Sequence, residues 1–442
     1  MVKRTVTVDF SHRDGRVKAM NGILGGAKCG PLLEYDFSHE LRTGRVPIVR
    51  TRGAFFPYGL NQYLDIHCIF PNMANEPDDE SAYNFSPTDE YLRSIRDTGA
   101  EIFLCLGESQ DTYPNKRYLC PNSDYCKIAR ICTNIVAHYN EGWASGFKLG
   151  IKYCEIYPGA DSSCGFGGSI DEYFSLYSTV AKMLKGRFPK IKVGAYTSGG
   201  FRSLNHFDAT PEEHGHVEYL EGFLYRVSRS EDTPLDFLSW RCETDRPEEL
   251  SIHSNYARSY LNQFGLKKTQ SIVSEFSINS KGGALSRELP ALLASAYVIG
   301  QKSGIDMMMY DNAHLLSKTN PFFTAVGNEK IRHASFGVLS AFGLILSQKY
   351  TCEVSSDIRG ELYSLASFNG SDGAVLVVTR EYTGGIEIEL KNSGFSTYSI
   401  KGILGGGEYG VGFSTELKDV PLENGKIPIN AGKCEVYLIT LK

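Results

Sequence analysis

The chain has 442 residues, 42% of them apolar, and a formal net charge of −5. These values exclude a disordered chain, and the evenly mixed charges point to neither a nucleic-acid partner nor an anionic membrane surface. The apolar runs fall well short of the roughly 18 residues that span a bilayer, and the start MVKRTVTVDF has no apolar signal segment, so we expect a cytoplasmic protein.

The cysteine usage supports the same expectation. There are 11 cysteines, an odd number scattered along the chain, which is typical of reduced thiols in a cytosolic protein. Cys120, Cys126 and Cys132 lie six residues apart and fit no common zinc pattern. The pair His214 and His216 is also a weak metal signal, so the sequence predicts no metal and no cofactor.

Short apolar or β-branched runs alternate with amphipathic stretches from residue 20 onward. The eight runs are MNGILGG (20–26), PIVRTR (47–52), EIFLCLG (101–107), IKYCEIY (151–157), IKVGAYT (191–197), LDFLSW (235–240), SIVSEF (271–276) and DMMMYD (306–311). Helical patterns lie between most of them, with Asp, Ser or Thr near several starts. This alternation predicts an α/β fold, a (β/α)8 (TIM) barrel, and the lack of a Gly-rich phosphate loop disfavours the alternative of a doubly wound open sheet.

The character of the sequence changes after about residue 350. Strand-like segments such as GIEIELKN and CEVYLITLK follow one another between Gly, Asn, Ser and Asp turns, which predicts an accessory antiparallel β-sandwich. The first strand, TVTVDF (5–10), alternates in the same way and is expected to join it. We therefore predict domains at 1–15, 16–348 and 349–442. The sandwich would buttress the barrel or build a homo-oligomer contact.

The active site of such a barrel lies at the carboxyl ends of its strands. Polar residues at these ends include Arg50 and Arg52 after strand 2 and Glu275 on strand 7. Glu275 ends an apolar run in which a carboxylate has no packing role, so we interpret it as functional. The alternative is a structural ion pair with an arginine across the barrel mouth.

A glutamate at this place indicates glycoside hydrolysis. A retaining enzyme needs a nucleophilic carboxylate and a second, acid/base carboxylate roughly 5–5.5 Å away. The usual source of that acid is the end of strand 4, where this chain has Pro158 and Gly159.

Several stretches resemble the glycoside hydrolase family 39 group, the relatives of β-xylosidase and α-L-iduronidase, over about residues 5 to 440. They include NGILGGAKCGPL, IVRTRG, HYNEGWASGF, LDFLSW, IVSEF and MMMYD, and the long stretch from LDIHCIF to FLCLGES. The resemblance implies the barrel fold, a carbohydrate substrate and a nucleophile at Glu275. In that group strand 4 reads Trp-Glu-Ile-Trp-Asn-Glu-Pro-Asp, so Gly159 stands where the acid/base is expected.

Other departures from the group fall at the same barrel mouth. Arg52 stands in place of a strand 2 histidine, Cys105 in place of a strand 3 arginine, and Arg241 and Glu243 in place of a strand 6 histidine and aromatic residue. The resemblance therefore implies the fold more strongly than the activity.

The missing acid has few replacements. Glu155 points to the same side of the strand as Gly159 but lies about 13 Å deeper in the barrel. It is therefore expected to be a buried, hydrogen-bonded group. Asp161 lies outward, but its side chain is short. Glu243, beside strand 7, is the preferred acid/base candidate, and the alternative is an ion pair between Glu243 and Arg241.

Two functional hypotheses remain open. The first is a glycosidase with Glu275 as nucleophile and Glu243 as a displaced acid, acting on a small and perhaps acidic glycoside. The second is a catalytically inactive carbohydrate-binding protein on the same scaffold. The predicted substrate-binding residues are Arg52, Arg241, Glu108, Tyr157, Trp240, Phe276, Tyr310 and Asp311. The arginines could recognise an anionic sugar or only neutralise nearby carboxylates, and the aromatics could stack on sugar or belong to the core.

Overall fold

The predicted barrel strands are all present. The computed structural model describes residues 4–29, 35–51, 64–108, 124–162, 165–311, 320–326, 329–357, 360–406 and 416–442. In chain order the first strands are β1 (Arg4–Arg16), β2 (Ala19–Leu24), β3 (Lys28–Cys29), β4 (Tyr35–Asp36), β5 (Ile48–Arg50), β6 (Glu101–Leu106), β7 (Tyr153–Ile156), β8 (Lys192–Ser198), β9 (Phe237–Thr244), β10 (Gln270–Ile278) and β11 (Met307–Tyr310). Strands β2 and β5 to β11 form a closed parallel barrel, which confirms the predicted fold class.

Helices surround the barrel. They are α1 (Ser38–Thr43), α2 (Ile66–Ile69), α3 (Ser86–Arg96), α4 (Tyr125–Asn140), α5 (Ile170–Arg187), α6 (Pro211–Arg229), α7 (Glu249–Gln263), α8 (Leu289–Lys302) and α9 (Ala334–Ser347). Helices α3 to α8 lie where the sequence shows helical patterns. Local sequence fixes several starts. Ser169 and Thr210 each form a capping box with a glutamate three residues later, and the Asp124 side chain accepts from the backbone of Lys127.

The C-terminal part of the chain is a separate β-sheet domain. Its strands follow β12 (Phe323–Val326) and β13 (Glu329–Arg332), which pair as a hairpin. They are β14 (Tyr350–Ser356), β15 (Leu362–Phe368), β16 (Gly373–Thr379), β17 (Gly384–Lys391), β18 (Thr397–Leu404), β19 (Glu416–Pro421), β20 (Lys426–Ala431) and β21 (Glu435–Leu441). The N-terminal strand β1 lies between β14, to which it is antiparallel, and β17, to which it is parallel. The domain boundaries at residues 15 and 349 stay a prediction.

Strand β16 shows how the sheet domain supports the barrel. All seven of its residues are buried, because both of its faces are covered. Leu376 and Val378 pack with the main core of the barrel and its helices, whereas Val375 and Val377 pack in the core of the sheet domain itself. Alternate side chains of this strand thus point to opposite faces of the sheet, and the sheet connects the two hydrophobic cores.

Candidate active site

The barrel interior is built in layers, because alternate residues of each strand point inward. The lower layer is apolar and contains Ile48, Phe103, Phe237, Ile272, Met307 and Met309. Residues two positions apart in a strand point to the same side, so Arg50 lies above Ile48 and Ser239 above Phe237. The interior therefore changes from apolar to polar just below the carboxyl ends of the strands.

Arg50 is the centre of the polar layer. Its side chain is 2% exposed, and its Nε and Nη2 atoms lie 2.8 and 2.7 Å from Glu155 Oε2. Nη2 also donates to Thr197 Oγ1 at 2.9 Å, and Nη1 donates to Glu275 Oε1 at 3.0 Å. Burial alone would lower the pKa of Arg50, but the surrounding negative charges, Glu155 and Glu275 among them, raise it above its usual value. One guanidinium thus joins the carboxylates of strands β7 and β10.

Glu155 is a structural carboxylate. It has no exposed surface, and its oxygens accept from Thr197 Oγ1 at 2.6 Å, from Ser239 Oγ and from Cys105 Sγ at 3.3 Å, besides Arg50. Burial raises the pKa of the Cys105 thiol well above its usual value, so the thiol stays protonated and can donate. A carboxylate with this many donors at such depth has no room for a substrate, as its position in the sequence led us to expect.

Glu275 lies above Arg50, at the mouth of the barrel. A break in the register of β10 separates Val273, which pairs with Trp240, from Glu275, which pairs with Arg241. Such a bulge re-aims side chains and lets both Ser274 and Glu275 reach the polar layer. Ser274 Oγ lies 3.0 Å from Thr197 Oγ1. The irregular register therefore brings the carboxylate to the end of the barrel interior.

Two arginines hold Glu275 from opposite sides. Arg241 donates to Glu275 Oε2 through Nε at 2.9 Å and through Nη2 at 2.5 Å, while Arg50 donates to Oε1. The Glu275 side chain is 7% exposed, and the Arg241 side chain is 44% exposed. The charge of Glu275 raises the pKa of Arg241, and Asp311 adds to this rise. The ion pair considered from the sequence exists, and it involves two arginines.

At the end of strand β7, Gly159 stands where the family 39 resemblance predicts the acid/base residue. Gly159 adopts φ +76°, a left-handed conformation that favours glycine, and its N–H donates to the carbonyl of Tyr196. A glutamate here would need a different local backbone. The backbone conformation at this position therefore suits the glycine that stands there.

Asp161, in the loop just beyond Gly159, contacts His216 on helix α6. The Asp161 side chain is 1% exposed, and its Oδ2 accepts from Gly199 N at 2.9 Å and from Ser198 Oγ at 3.2 Å. His216 Nδ1 lies 3.3 Å from the same oxygen. Burial lowers the pKa of His216, but Asp161 more than offsets this, so the pKa is raised. This pair ties α6 to the ends of β7 and β8.

Two other charged residues predicted for the site, Glu243 and Glu108, lie at the carboxyl ends of their strands. Glu243 is exposed, two residues beyond Arg241 and paired in register with Ser277, and it accepts from Asn279 Nδ2 at 3.0 Å. Arg241 is paired with Glu275 instead of Glu243. Glu108 lies after β6, and its Oε1 is 2.6 Å from His67 Nε2. Arg52 lies outside the described residues.

The predicted aromatic wall is not an open surface. Trp240 is fully buried: it follows the alternation of β9 away from Arg241, donates Nε1 to Ser271 Oγ at 2.9 Å and packs on Phe201. Phe276 is fully buried for the same reason, next to Glu275 on β10, with its ring centroid 5.6 Å from that of Tyr310.

Tyr310 and Tyr157 are also buried. The Tyr310 hydroxyl lies 3.4 Å from the backbone N of Ile278, and burial raises the pKa of Tyr157 well above its usual value. These four aromatic side chains belong to the core and present no ring face to a sugar.

The sequence places Arg50 among the polar residues at the strand ends, but Arg52 is the arginine predicted there to bind substrate. The position of a charged residue between Val49 and Thr51 in a buried strand was a usable signal for Arg50. Thr197 and Ser239 gave no such signal, because small hydroxyl residues are common in strands and loops alike. Both hydroxyl groups donate to Glu155, which lies 42 or more positions away in the chain.

Metal and membrane features can be judged over the described part of the chain. There, no group of three or more His, Cys, Asp or Glu side chains could hold a metal ion. Within the same residues, none of the helices combines the length and the apolar character that a bilayer crossing requires.

Comparison with known proteins gives matches in structure alone. No protein-family model and no curated protein sequence matches this chain. A glucosidase from Croceicoccus marinus is 19% identical, with a TM-score of 0.78 over 100% of this chain and 99% of the other. A monomeric β-xylosidase from Caulobacter crescentus CB15 is 12% identical, with a TM-score of 0.67 over 99% of both chains.

An α-L-arabinofuranosidase from Thermotoga maritima is also similar. It is 11% identical, with a TM-score of 0.66 over 99% of both chains. Identities this low show a shared fold, which here includes both the barrel and the sheet domain.

Proposed function

We propose that this protein is a retaining O-glycosidase that acts on a small acidic glycoside, with Glu275 as its nucleophile. The observation that carries the proposal is the place of Glu275: a carboxylate at the carboxyl end of the seventh barrel strand, between two guanidiniums. Such neighbours favour the ionised form of a carboxylate, which is the form that attacks. The glycosidases of similar structure and the resemblance to the family 39 group support the same chemistry.

The reaction would proceed in two displacements. Glu275 would attack the anomeric carbon, forming a glycosyl ester while the bond to the leaving oxygen breaks and its electron pair stays with that oxygen. Water would then attack the ester, lose its proton to a base and release Glu275. Arg50 would hold the carboxylate in place through both steps, because it is itself fixed by Glu155 and Thr197.

The acid in this proposal is Glu243. It lies on the strand next to Glu275 and two residues further toward solvent, about 6.6 Å along the strand. From there an exposed carboxyl group could reach the leaving group of a sugar held above Glu275. Because Glu243 is exposed and distant from Glu275, we expect it to be a weaker acid catalyst than a carboxyl group on strand β7 would be.

A leaving-group series tests the proposal. We expect turnover of aryl glycosides whose leaving group needs little protonation, such as dinitrophenyl glycosides and uronides. Alkyl glycosides should react about 10² to 10⁴ times more slowly, because general acid catalysis contributes that much. Glu243→Gln should slow the alkyl substrates selectively, and azide should accelerate the variant by attacking the glycosyl ester without a base.

The second candidate function is carbohydrate binding without catalysis. The glycine conformation at Gly159, where a catalytic carboxyl group would be expected, favours it. Binding of sugars detected by calorimetry, with no turnover of any dinitrophenyl glycoside, would establish this alternative and remove the hydrolase proposal.

A further inference from the structure

The two arginines that hold Glu275 are not equally fixed. Arg50 is buried and is bound by Glu155 and Thr197 as well as by Glu275. Arg241 is 44% exposed, and within the described residues Glu275 is its hydrogen-bond and ion-pair partner. A side chain with one partner and nearly half of its surface in solvent can exchange that partner at low cost. Arg241 is therefore the movable member of the pair.

Arg241 also covers the oxygen of Glu275 on the solvent side. Its Nε and Nη2 both donate to Oε2, whereas Oε1 is turned toward the buried Arg50. A carboxylate oxygen offers about two lone-pair positions, so this fork occupies those of Oε2. An anomeric carbon cannot be attacked by Oε2 until Arg241 moves away.

The charges around Glu275 limit what can move Arg241. Arg50 and Arg241 face two carboxylates, Glu155 and Glu275, in a site that is mostly buried, and Asp311 adds a third negative charge near Arg241. Withdrawing Arg241 without a new partner loses an ion pair. A carboxylate or sulfate on the substrate offers the guanidinium the same two-pronged geometry, so Arg241 would gain a new anionic partner while Glu275 keeps Arg50.

We propose that Arg241 is an exchangeable cover on Glu275, which an acidic group of the substrate draws away, so that Oε2 is freed only when an anionic sugar is bound. The inference rests on the proposed function and adds a mechanism of substrate selection to it. Arg241 is a specificity-determining residue in this scheme, and Arg50 keeps Glu275 oriented after the cover has moved. A neutral glycoside would have to break the same ion pair without compensation.

The test uses matched pairs of dinitrophenyl glycosides that differ only at C6: a uronide and the neutral hexoside of the same configuration. We expect the wild-type protein to prefer the uronide in kcat/KM. Arg241→Met should lower kcat/KM for the uronide by about 10²-fold, because a charged two-pronged contact is lost. The same variant should raise kcat/KM for the neutral hexoside, by about fivefold, because its nucleophile is uncovered.

Two further variants make the outcome interpretable. Arg246→Met removes an exposed arginine that pairs with Glu249 just beyond the same strand, and it should leave both rates unchanged. Arg241→Lys keeps the charge but lacks the fork, and it should retain part of the preference for the uronide. It also keeps the test open if Arg241→Met does not fold, which the thermal midpoint would reveal.

The possible failures are distinguishable. A parallel loss on both members of the pair would overturn the inference, since Arg241 would then act only by holding Glu275 in place. Unchanged rates on both members would overturn it as well. Absence of wild-type turnover on every pair would instead overturn the proposed function on which the inference rests.

Discussion

Glu275→Gln should abolish turnover of aryl glycosides, with a loss of at least about 10³-fold in kcat, or about 4 kcal/mol in the activation barrier. The amide is almost the same size as the carboxylate, so the shape of the site is kept. It cannot form the glycosyl ester, however, and its NH2 group would face one of two guanidiniums that have only donors. Steady-state kinetics with dinitrophenyl substrates measures the effect.

Glu249→Gln is the matched control for this variant. Glu249 is also a buried glutamate just beyond a barrel strand and paired with an arginine, Arg246, but it lies outside the proposed site. We expect it to lose some thermal stability and to keep its turnover. Equal losses of activity in the two variants would assign both effects to folding and would deprive Glu275 of its role.

Arg50→Met should destabilise the barrel by about 3–5 kcal/mol, the cost of leaving buried charges without their partner. The change removes the guanidinium donors from Glu155, which has no exposed surface and keeps Thr197, Ser239 and Cys105 as donors, and from one oxygen of Glu275. Urea denaturation followed by tryptophan fluorescence measures the loss in the barrel alone, because Trp143 and Trp240 both lie in the barrel and its connections.

A double variant separates charge from packing. In Arg50→Met/Glu155→Gln the buried carboxylate that lost its partner is itself neutral, so the double variant should be less destabilised than the sum of the single variants. Additive effects, or a loss below about 1 kcal/mol for Arg50→Met, would show that the buried network contributes little to the stability of the barrel.

The sequence was enough to predict the barrel because each barrel strand is recognisable from its own short apolar run. Runs such as EIFLCLG and SIVSEF are short, apolar and flanked by helical patterns, so their spacing alone predicts eight βα units. In the sheet domain, strands β14, β19 and β20 were not anticipated. Strand β19 is largely exposed and charged, so it lacks the apolar alternation that identifies a strand.

The candidate site was less accessible to sequence reasoning, for two physical reasons. The first is parity: Trp240 and Phe276 adjoin Arg241 and Glu275 in the chain, yet neighbouring residues of a strand face opposite sides, which places both rings in the core. The second is the irregular register of β10. The pairing of Glu275 with Arg241 follows from a bulge that the local sequence does not predict.

The network around Arg50 adds a third reason. Arg50, Glu155, Thr197 and Glu275 come from four different strands, and no segment by itself shows which of the others it will contact. Only closure of the barrel makes them neighbours. The expectation that Glu155 is buried and hydrogen-bonded followed from its depth along strand β7, but the identity of its partners required the three-dimensional arrangement.

Attack of Glu275 on the anomeric carbon would form a glycosyl ester that can be trapped on this residue. A 2-deoxy-2-fluoro-glycosyl fluoride, offered in neutral and uronic forms, destabilises the charged transition states and has a leaving group that needs little acid assistance. Intact-protein mass spectrometry should show one added fluorosugar, and peptide mapping should place it on Glu275. No adduct with any such sugar, in a protein that still binds sugars by calorimetry, would contradict the account.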